Sequence, residues 1–192
     1  MYTIRKTEMD DVPQVEKIFA VAREKMRAAG NPKQWDENYP SIELITKDIQ
    51  LGRSYAVEYE RGKDEGNGYE KEKDKTVVGT FVMLTEPDPS YTKIDGAWLN
   101  DKPYATIHRL ASLEGYHGVF SAVLDYVSAQ YDDVRADTHL DNLPMRHLLQ
   151  KNGFQYCGNI LLAERVPQNQ QPKEEKIQAD NPLFRMAYHR SK

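Results

Sequence analysis

The chain has only one cysteine, Cys157, among its 192 residues. A lone cysteine cannot form an internal disulfide, and it excludes a zinc site built from cysteine pairs. The first residues, 1–6, lack the apolar core of a signal sequence, and no apolar run reaches the roughly eighteen residues of a membrane span. We therefore expect a cytoplasmic protein that does not associate with a membrane.

The sequence also lacks any block of basic residues and any long linker rich in Pro, Gly or Ser. Lys and Arg number 26 against 30 Asp and Glu, so nucleic acid is not an expected partner. A chain of this length buries one sizeable core. We predict a single domain over 1–192 with two charged surface loops, at 61–75 and 164–182. The sequence leaves a monomer and a homodimer equally open.

Apolar periodicity predicts the helices and strands. The expected elements are a strand at 3–6, a helix that begins after a cap at Thr7 or Asp10 and carries apolar residues to Met26, a helix from Ser41 to Gly52, strands at 54–58 and 76–84, a strand at 104–111, a helix from Val119, a strand at 134–138, a helix at 142–152, and a final hairpin of 154–162 with 183–189. Strands and helices alternate in the second half. This order predicts an α/β fold, or α+β by stricter sorting, with a mixed sheet, helices on both faces, and parallel pairing where a helix crosses over.

The turn at 112–119 contains Gly115 and Gly118 and leads into the helix at Val119. The first N–H groups of a helix have no partner within it and lie at the positive end of its dipole, which suits a pyrophosphate. Two glycines in such a turn are also ordinary loop chemistry. Both interpretations stay open at this point.

Three further motifs follow one another in a fixed order along the chain. They are Gln34-Trp35-Asp36 with Tyr39-Pro40-Ser41, then Ile107-His108-Arg109-Leu110-Ala111-Ser112, then Asp137-Thr138-His139-Leu140-Asp141-Asn142 continuing to Lys151-Asn152-Gly153-Phe154. Together with Gly115-Tyr116-His117-Gly118-Val119-Phe120, they resemble a bacterial subgroup of the GNAT (GCN5-related N-acetyltransferase) superfamily. Within the phosphate loop only Gly118 fits the family pattern strictly. Gly115 replaces a polar residue, and Phe120 replaces a small one.

The resemblance implies a GNAT-like sheet that is mostly antiparallel with a central parallel pair, and acetyl-CoA as the co-substrate, without a metal. It implies that the backbone of Leu110, Ala111 and Ser112 binds the pantetheine arm. It assigns the pyrophosphate to His117, Gly118, Val119 and Phe120. Asn142 would complete the groove, and this residue type is also a favourable helix N-cap, so the two roles are compatible.

The resemblance also implies direct attack of an amine on the thioester, with a backbone N–H near Leu110 as donor to the developing oxyanion. The family often has a tyrosine that protonates the leaving thiolate, but this sequence has Leu149 at that position. Tyr156 or water then remains as the candidate acid. As base we predict His108, because histidine has an intrinsic pKa of about 6.5. Strand alternation places it on one face with Tyr104, Thr106 and Leu110. A structural, hydrogen-bonded histidine is the alternative.

Trp35, Tyr39 and Trp98 are candidates to line the acceptor pocket, although aromatic residues in such segments also pack in cores. The predicted acceptor is an amine of a small molecule or a peptide, whose identity the sequence leaves open.

Two other functions compete with this interpretation. Asp137, His139 and Asp141 alternate along a strand end and could bind a metal ion, although the same residues fit a turn into the next helix. A non-catalytic module with this fold, binding CoA or a regulatory ligand, is the second alternative, since Phe120 and Leu149 both depart from the family pattern.

Overall fold

The computed structural model describes residues 1–61, 75–162 and 177–192. The strands are β1 (Tyr2–Lys6), β2 (Ser54–Glu60), β3 (Lys75–Leu84), β4 (Asp95–Gly96), β5 (Ala105–Ser112), β6 (Asp133–Thr138), β7 (Gln155–Leu161) and β8 (Phe184–Ser191). The helices are α1 (Val12–Ala28), α2 (Ile42–Gln50), α3 (Val119–Ser128) and α4 (Leu143–Lys151). No helix within these three ranges is both long and apolar enough to cross a membrane.

The strands form one eight-stranded sheet in the order β1-β2-β3-β5-β6-β8-β7-β4. Every neighbouring pair is antiparallel except β5 and β6, which are parallel. Helix α3 connects these two strands, and parallel neighbours need such a crossover. The predicted mixed sheet with a central parallel pair is confirmed, and so is the hairpin of β7 with β8.

Apolar clusters cover both faces of the sheet. On one face, α3 and α4 bury Val123, Val127 and Leu149 against Ile107 and Phe81. On the other face, α1 and α2 pack through the cluster of Val15, Ile18, Phe19, Trp35, Ile45 and Ala111. The spacing of three and four residues along α1 produces its single apolar stripe. Helices on both faces were predicted and are found.

The start of α1 differs from the prediction. Neither Thr7 nor Asp10 caps the helix, because a short 3₁₀ turn at Met9–Asp11 precedes it. The backbone N–H of Glu8 donates to the Asp11 carboxylate in that turn, at 2.8 Å. The Thr7 hydroxyl instead accepts from Ser54 Oγ at 2.8 Å and is buried where β1 meets β2.

The charged loops predicted at 61–75 and 164–182 lie mostly outside the described residues. Strand β4 was not predicted, since its two residues are too few to show alternation. It pairs with β7 through Gly96 opposite Gly158.

These two glycines let the β4 and β7 backbones approach closely. A Cβ on Gly158, where φ is 142°, would lie 2.2 Å from the carbonyl oxygen of Asp95. No side chain fits at that distance. Glycine is therefore required at position 158 for two reasons, the close approach of the Asp95 carbonyl and the positive φ of the residue itself.

We predict that Gly158→Ala lowers the free energy of unfolding by about 3 kcal/mol or more, because the methyl group collides with backbone and the dihedral is unfavourable. Gly52→Ala is the matched control, since Gly52 also has a positive φ of 64° but has open space around it. That control should cost only about 1–2 kcal/mol. Urea denaturation of both variants makes the comparison, and equal losses would contradict the close approach.

Candidate active site

The centre of the sheet opens into a cleft where β5 and β6 stop pairing. Only Ala105, Thr106 and Ile107 face β6, opposite 134–136. Both strands continue beyond that point, to Ser112 and Thr138. The gap between them is a cleft of about 390 Å³ that is lined by residues from both faces of the sheet. Along it, the edge of β5 turns backbone groups toward the cleft in place of a neighbouring strand.

A bulge in β5 lies at the mouth of this gap. Thr80 of β3 is opposite Ala111, but Val82 is opposite His108, so β5 carries one extra residue. Arg109 takes up the irregularity with a φ of 50°. Such a bulge reverses the alternation of side chains that follow it.

The bulge corrects one prediction about His108. Leu110 packs with Ile107 on the α3 face, whereas Ala111 packs in the α1 cluster. His108 instead lies beside Tyr91, with ring centroids 5.9 Å apart. The prediction that His108 and Leu110 share a face was therefore wrong, because it assumed unbroken alternation.

The bulge is held by a buried ion pair. Arg109 Nη2 lies 2.9 Å from Asp48 Oδ2 on α2, and both side chains are nearly inaccessible to solvent. Arg109 Nη1 also donates to the Tyr39 hydroxyl at 3.2 Å. Helix α2 and the loop before it are thus fixed to the irregular part of β5.

One end of the cleft is the start of α3. Gly118 precedes the helix with a φ of 84°, and the first intrahelical bond runs from Ala122 N to the Gly118 carbonyl. The amides of Val119, Phe120 and Ser121 thus have no partner within the helix. All three residues line the cleft. This end of the cleft has the geometry and the dipole of an anion site.

The bulk of Phe120 does not fill that anion site. Its side chain packs in the core against Phe154, with ring centroids 6.3 Å apart. The preceding turn is held by the Tyr2 hydroxyl, which donates to the His117 carbonyl at 2.8 Å. The departure from the family pattern at Phe120 is therefore accommodated by the core.

Asn142 connects the two walls of the cleft. Its Oδ1 accepts from Met145 N at 3.2 Å and so caps α4, as predicted. Its Nδ2 donates to Gln34 Oε1 at 2.8 Å. That same oxygen accepts from the Thr138 hydroxyl at 3.4 Å. Gln34 ties the loop between α1 and α2 to the far wall, a role that the sequence did not reveal.

On the opposite face of the sheet from the start of α3, His108 lies between two carboxylates. His108 Nε2 is 2.6 Å from Asp88 Oδ2, and Nδ1 is 3.5 Å from Asp137 Oδ1. The Tyr91 hydroxyl donates to Asp137 Oδ1 at 2.9 Å. We call Asp88, Tyr91, His108 and Asp137 the His108 cluster.

Electrostatics in the His108 cluster are those of a buried ionic network. Burial alone would raise the pKa of Asp88, but the hydrogen bond and charge of His108 lower it below its usual value. Burial, followed by the negative charge of Asp137, raises the pKa of Tyr91 well above its usual value. Tyr91 is thus a proton donor to Asp137 at neutral pH.

The structure brings nearly all the predicted site residues together. The cleft is lined by His108, Leu110, Ala111, Ser112, His117, Gly118, Val119, Phe120, Asn142, Trp35 and Tyr39. Trp98 is not among the lining residues. Its Nε1 donates to the Tyr91 carbonyl at 3.1 Å, and the Arg135 guanidinium lies 4.1 Å from its ring centre. Tyr156 is also outside the lining, and its exposed hydroxyl donates to Asn159.

The sequence missed two members of the His108 cluster. Asp88 and Tyr91 belong to an irregular segment whose 3₁₀ turn spans Pro89–Tyr91, and Asp88 caps that turn by accepting from Ser90 N at 2.8 Å. In the sequence, a Pro-containing turn 20 residues before His108 does not indicate which strand the turn packs against. The contact between Asp88 and His108 is visible only in the fold.

The residues of the metal alternative have other contacts here. Asp137 accepts from Tyr91, and the buried His139 ring accepts through Nδ1 from Asp141 N at 3.2 Å. Burial, followed by the charge of Arg185, lowers the pKa of His139. Within the described ranges no three His, Cys, Asp or Glu side chains are grouped so as to hold a metal.

Comparisons with known proteins identify the fold. No protein-family model matches the chain, and no curated protein matches it. A GNAT-family acetyltransferase from Streptococcus agalactiae has a similar structure, with 24% identity, a TM-score of 0.74, and coverage of 100% of this chain and 95% of that one. A GNAT-family acetyltransferase from Listeria monocytogenes is 15% identical, with a TM-score of 0.60 and coverage of 99% of this chain and 94% of that one.

A third similar structure contains ligands. N-acetylglutamate synthase from Neisseria gonorrhoeae, complexed with coenzyme A and N-acetyl-glutamate, is 13% identical with a TM-score of 0.51 over 100% of this chain and 35% of that chain. The order of the strands and the single parallel pair point to the same fold as these similar structures. This chain has the fold of the GNAT acetyltransferases.

Proposed function

We propose that this protein is an acetyl-CoA-dependent N-acetyltransferase that acts on a primary amine of a small molecule or a peptide. The observation that carries the proposal is one continuous cleft with two chemically different ends. Free amides at the start of α3 offer an anion site on one face of the sheet. The His108 cluster offers a proton acceptor on the other.

Acetyl-CoA fits this cleft through backbone contacts. The pantetheine arm would lie along Leu110, Ala111 and Ser112, at the edge of β5 that β6 no longer pairs. The pyrophosphate would bind at Gly118 and the amides that follow it. The thioester would then reach the gap between the strands, near His108. Asn142 and Gln34 would close the groove from the opposite wall.

The acceptor would enter from the face covered by α1. Trp35 and Tyr39 line the cleft there, with ring centroids 6.1 Å apart, and Trp35 also packs on Phe19. The amine attacks the thioester carbon directly, so a covalent enzyme intermediate is not required. His108 serves as the proton acceptor in this scheme. Leu149 lines the cleft where the family has its tyrosine, so the leaving thiolate would take its proton from the amine or from water.

Turnover is the test of the function. Purified protein is mixed with acetyl-CoA and a panel of monoamines, polyamines, amino acids, amine-bearing antibiotics and peptides, and CoA release is followed. We expect release above the rate without acceptor for at least one class. Binding of acetyl-CoA without turnover on any class would favour the non-catalytic module, and absence of binding would contradict both.

We predict that Gly118→Val weakens acetyl-CoA binding by about tenfold or more, because the side chain would stand beside the amides that hold phosphate. Gly115→Val is a matched control. Both glycines have a φ above 80°, and at neither does a Cβ meet an atom closer than 4.0 Å. Both variants should therefore lose similar stability, about 1–2 kcal/mol.

Of these two glycines, Gly118 lines the cleft and Gly115 does not. Calorimetric titration with acetyl-CoA, alongside thermal melting, separates the two effects. If both variants bind with the same affinity, Gly118 serves the turn alone.

We predict that kcat/KM rises with pH through an inflection that belongs to His108, and that His108→Gln removes the inflection while lowering kcat/KM by about 100-fold or more. A base must be unprotonated to accept a proton, so activity is low below the inflection and high above it. Deprotonation of the amine can imitate this profile. The profile is therefore repeated with an acceptor of different pKa, and an inflection that follows the acceptor and survives the substitution would remove His108 from the mechanism.

A further inference from the structure

Asp137 is the one acidic side chain among the described residues that line the cleft. It lies on β6 where the parallel pairing has ended, and its side chain is 7% exposed. A carboxylate so deeply buried is costly unless its oxygens have partners. The partners of Asp137 are unevenly distributed between its two oxygens.

Both of its contacts with other side chains are made through Oδ1. Tyr91 donates to Oδ1 at 2.9 Å, and His108 Nδ1 lies 3.5 Å from the same atom. Oδ2 accepts no hydrogen bond from any residue in the described ranges. Asp137 thus lines the cleft with one carboxylate oxygen that has no hydrogen-bond donor among the described residues.

His108 is less able to meet a substrate directly. Its Nε2 contacts Asp88 at 2.6 Å, and its Nδ1 faces Asp137. Each ring nitrogen of His108 therefore has a carboxylate beside it. Of the two carboxylates, only Asp137 is among the residues that line the cleft, so it is the one that an acceptor in the cleft can meet.

The charges around Asp137 favour a cation at this point. Asp88 and Asp137 carry two negative charges while His108 is neutral, and the three side chains together still carry one negative charge after His108 has taken up a proton. Tyr91 stays neutral, and Arg135 on β6 lies against the rings of Trp98 and Tyr104. Arg185 on β8 also lines the cleft, and its guanidinium donates to the main-chain carbonyls of Pro182, Phe184 and Gln34.

We propose that Asp137 is the catalytic residue that binds the acceptor as a primary ammonium, through Oδ2, and passes its proton to His108. The inference rests on the proposed function, because the bound cation is the acceptor of the acetyl group. It narrows that function to amines that arrive protonated. A neutral hydroxyl acceptor of the same shape would lack the charge that Asp137 requires.

Atoms and charges balance in the proposed step. The ammonium gives one proton through the Asp137 carboxylate to Nδ1 of neutral His108, and the amine lone pair then forms a bond to the thioester carbon. The carbon–sulfur bond breaks, and the leaving thiolate takes the second amine proton. The products are the amide, CoA and a protonated His108, which returns its proton to solvent.

Asp137→Asn tests the role, because asparagine keeps the shape and the hydrogen bond from Tyr91 but removes the charge. For an amine that the wild type acetylates, kcat/KM should fall by about 100-fold or more with a raised KM for the amine. Affinity for acetyl-CoA should stay within about twofold. Asp141→Asn is the control, since this carboxylate follows the same strand, is 37% exposed and does not line the cleft. Unchanged kcat/KM in Asp137→Asn would overturn the proposal.

A binding measurement on the wild-type protein tests the ammonium site, and it requires neither turnover nor a variant that folds. Wild-type protein is titrated with butylamine, a cation at about pH 7, and with 1-butanol, and binding is followed by NMR. The cation should bind at least about tenfold more tightly, and equal binding would overturn the proposal. If butylammonium is preferred but no amine is acetylated, the ammonium site stands and the proposed function fails. If amines are acetylated at a rate that does not depend on Asp137, the proposed function stands and the role of Asp137 fails.

Discussion

The rest of the site depends on where pairing between β5 and β6 stops. Three residues of β5 pair with β6, and both strands then continue without each other. Unpaired strand edges in a sheet interior leave polar backbone groups that need partners. A ligand with its own amide groups can supply those partners, which is why an extended pantetheine arm suits the gap. The same interruption makes a passage from one face of the sheet to the other.

Buried charges anchor the irregular part of β5. Arg109 forms an ion pair with Asp48 on α2, and the preceding residue, His108, contacts Asp88. Loss of one partner from such a pair leaves an uncompensated buried charge and costs about 3–5 kcal/mol. The pairs therefore fix the irregular backbone at Arg109, whose φ of 50° is unfavourable for a residue with a side chain. Stability and site geometry are consequently coupled in this part of the sheet.

Periodicity in the sequence predicted the helices and the strands other than β4, because apolar spacing records which face of each element is buried. The alternation of strands and helices, together with the family resemblance, predicted the parallel pair. It could not predict the bulge at Arg109, which depends on pairing with β3, and so it assigned His108 and Leu110 to one face. It could not predict Asp88, which reaches His108 from an irregular turn. Trp98 was assigned to the acceptor pocket on residue type, but the fold places it against Arg135. Contacts of this kind depend on tertiary structure, and no local pattern encodes them.

The cleft is electrostatically polar from one end to the other. Unpaired amides at the start of α3 favour negative charge, and the Asp137 carboxylate on the other side of the sheet favours positive charge. A nucleotide thioester carries its phosphates at one end and its reactive carbon at the other, so this polarity would set the direction in which it enters. An ammonium that entered from the face of α1 would be drawn to the opposite end for the same reason. The two proposed substrates would then meet at the gap between β5 and β6 because the charges of the cleft sort them to opposite faces of the sheet.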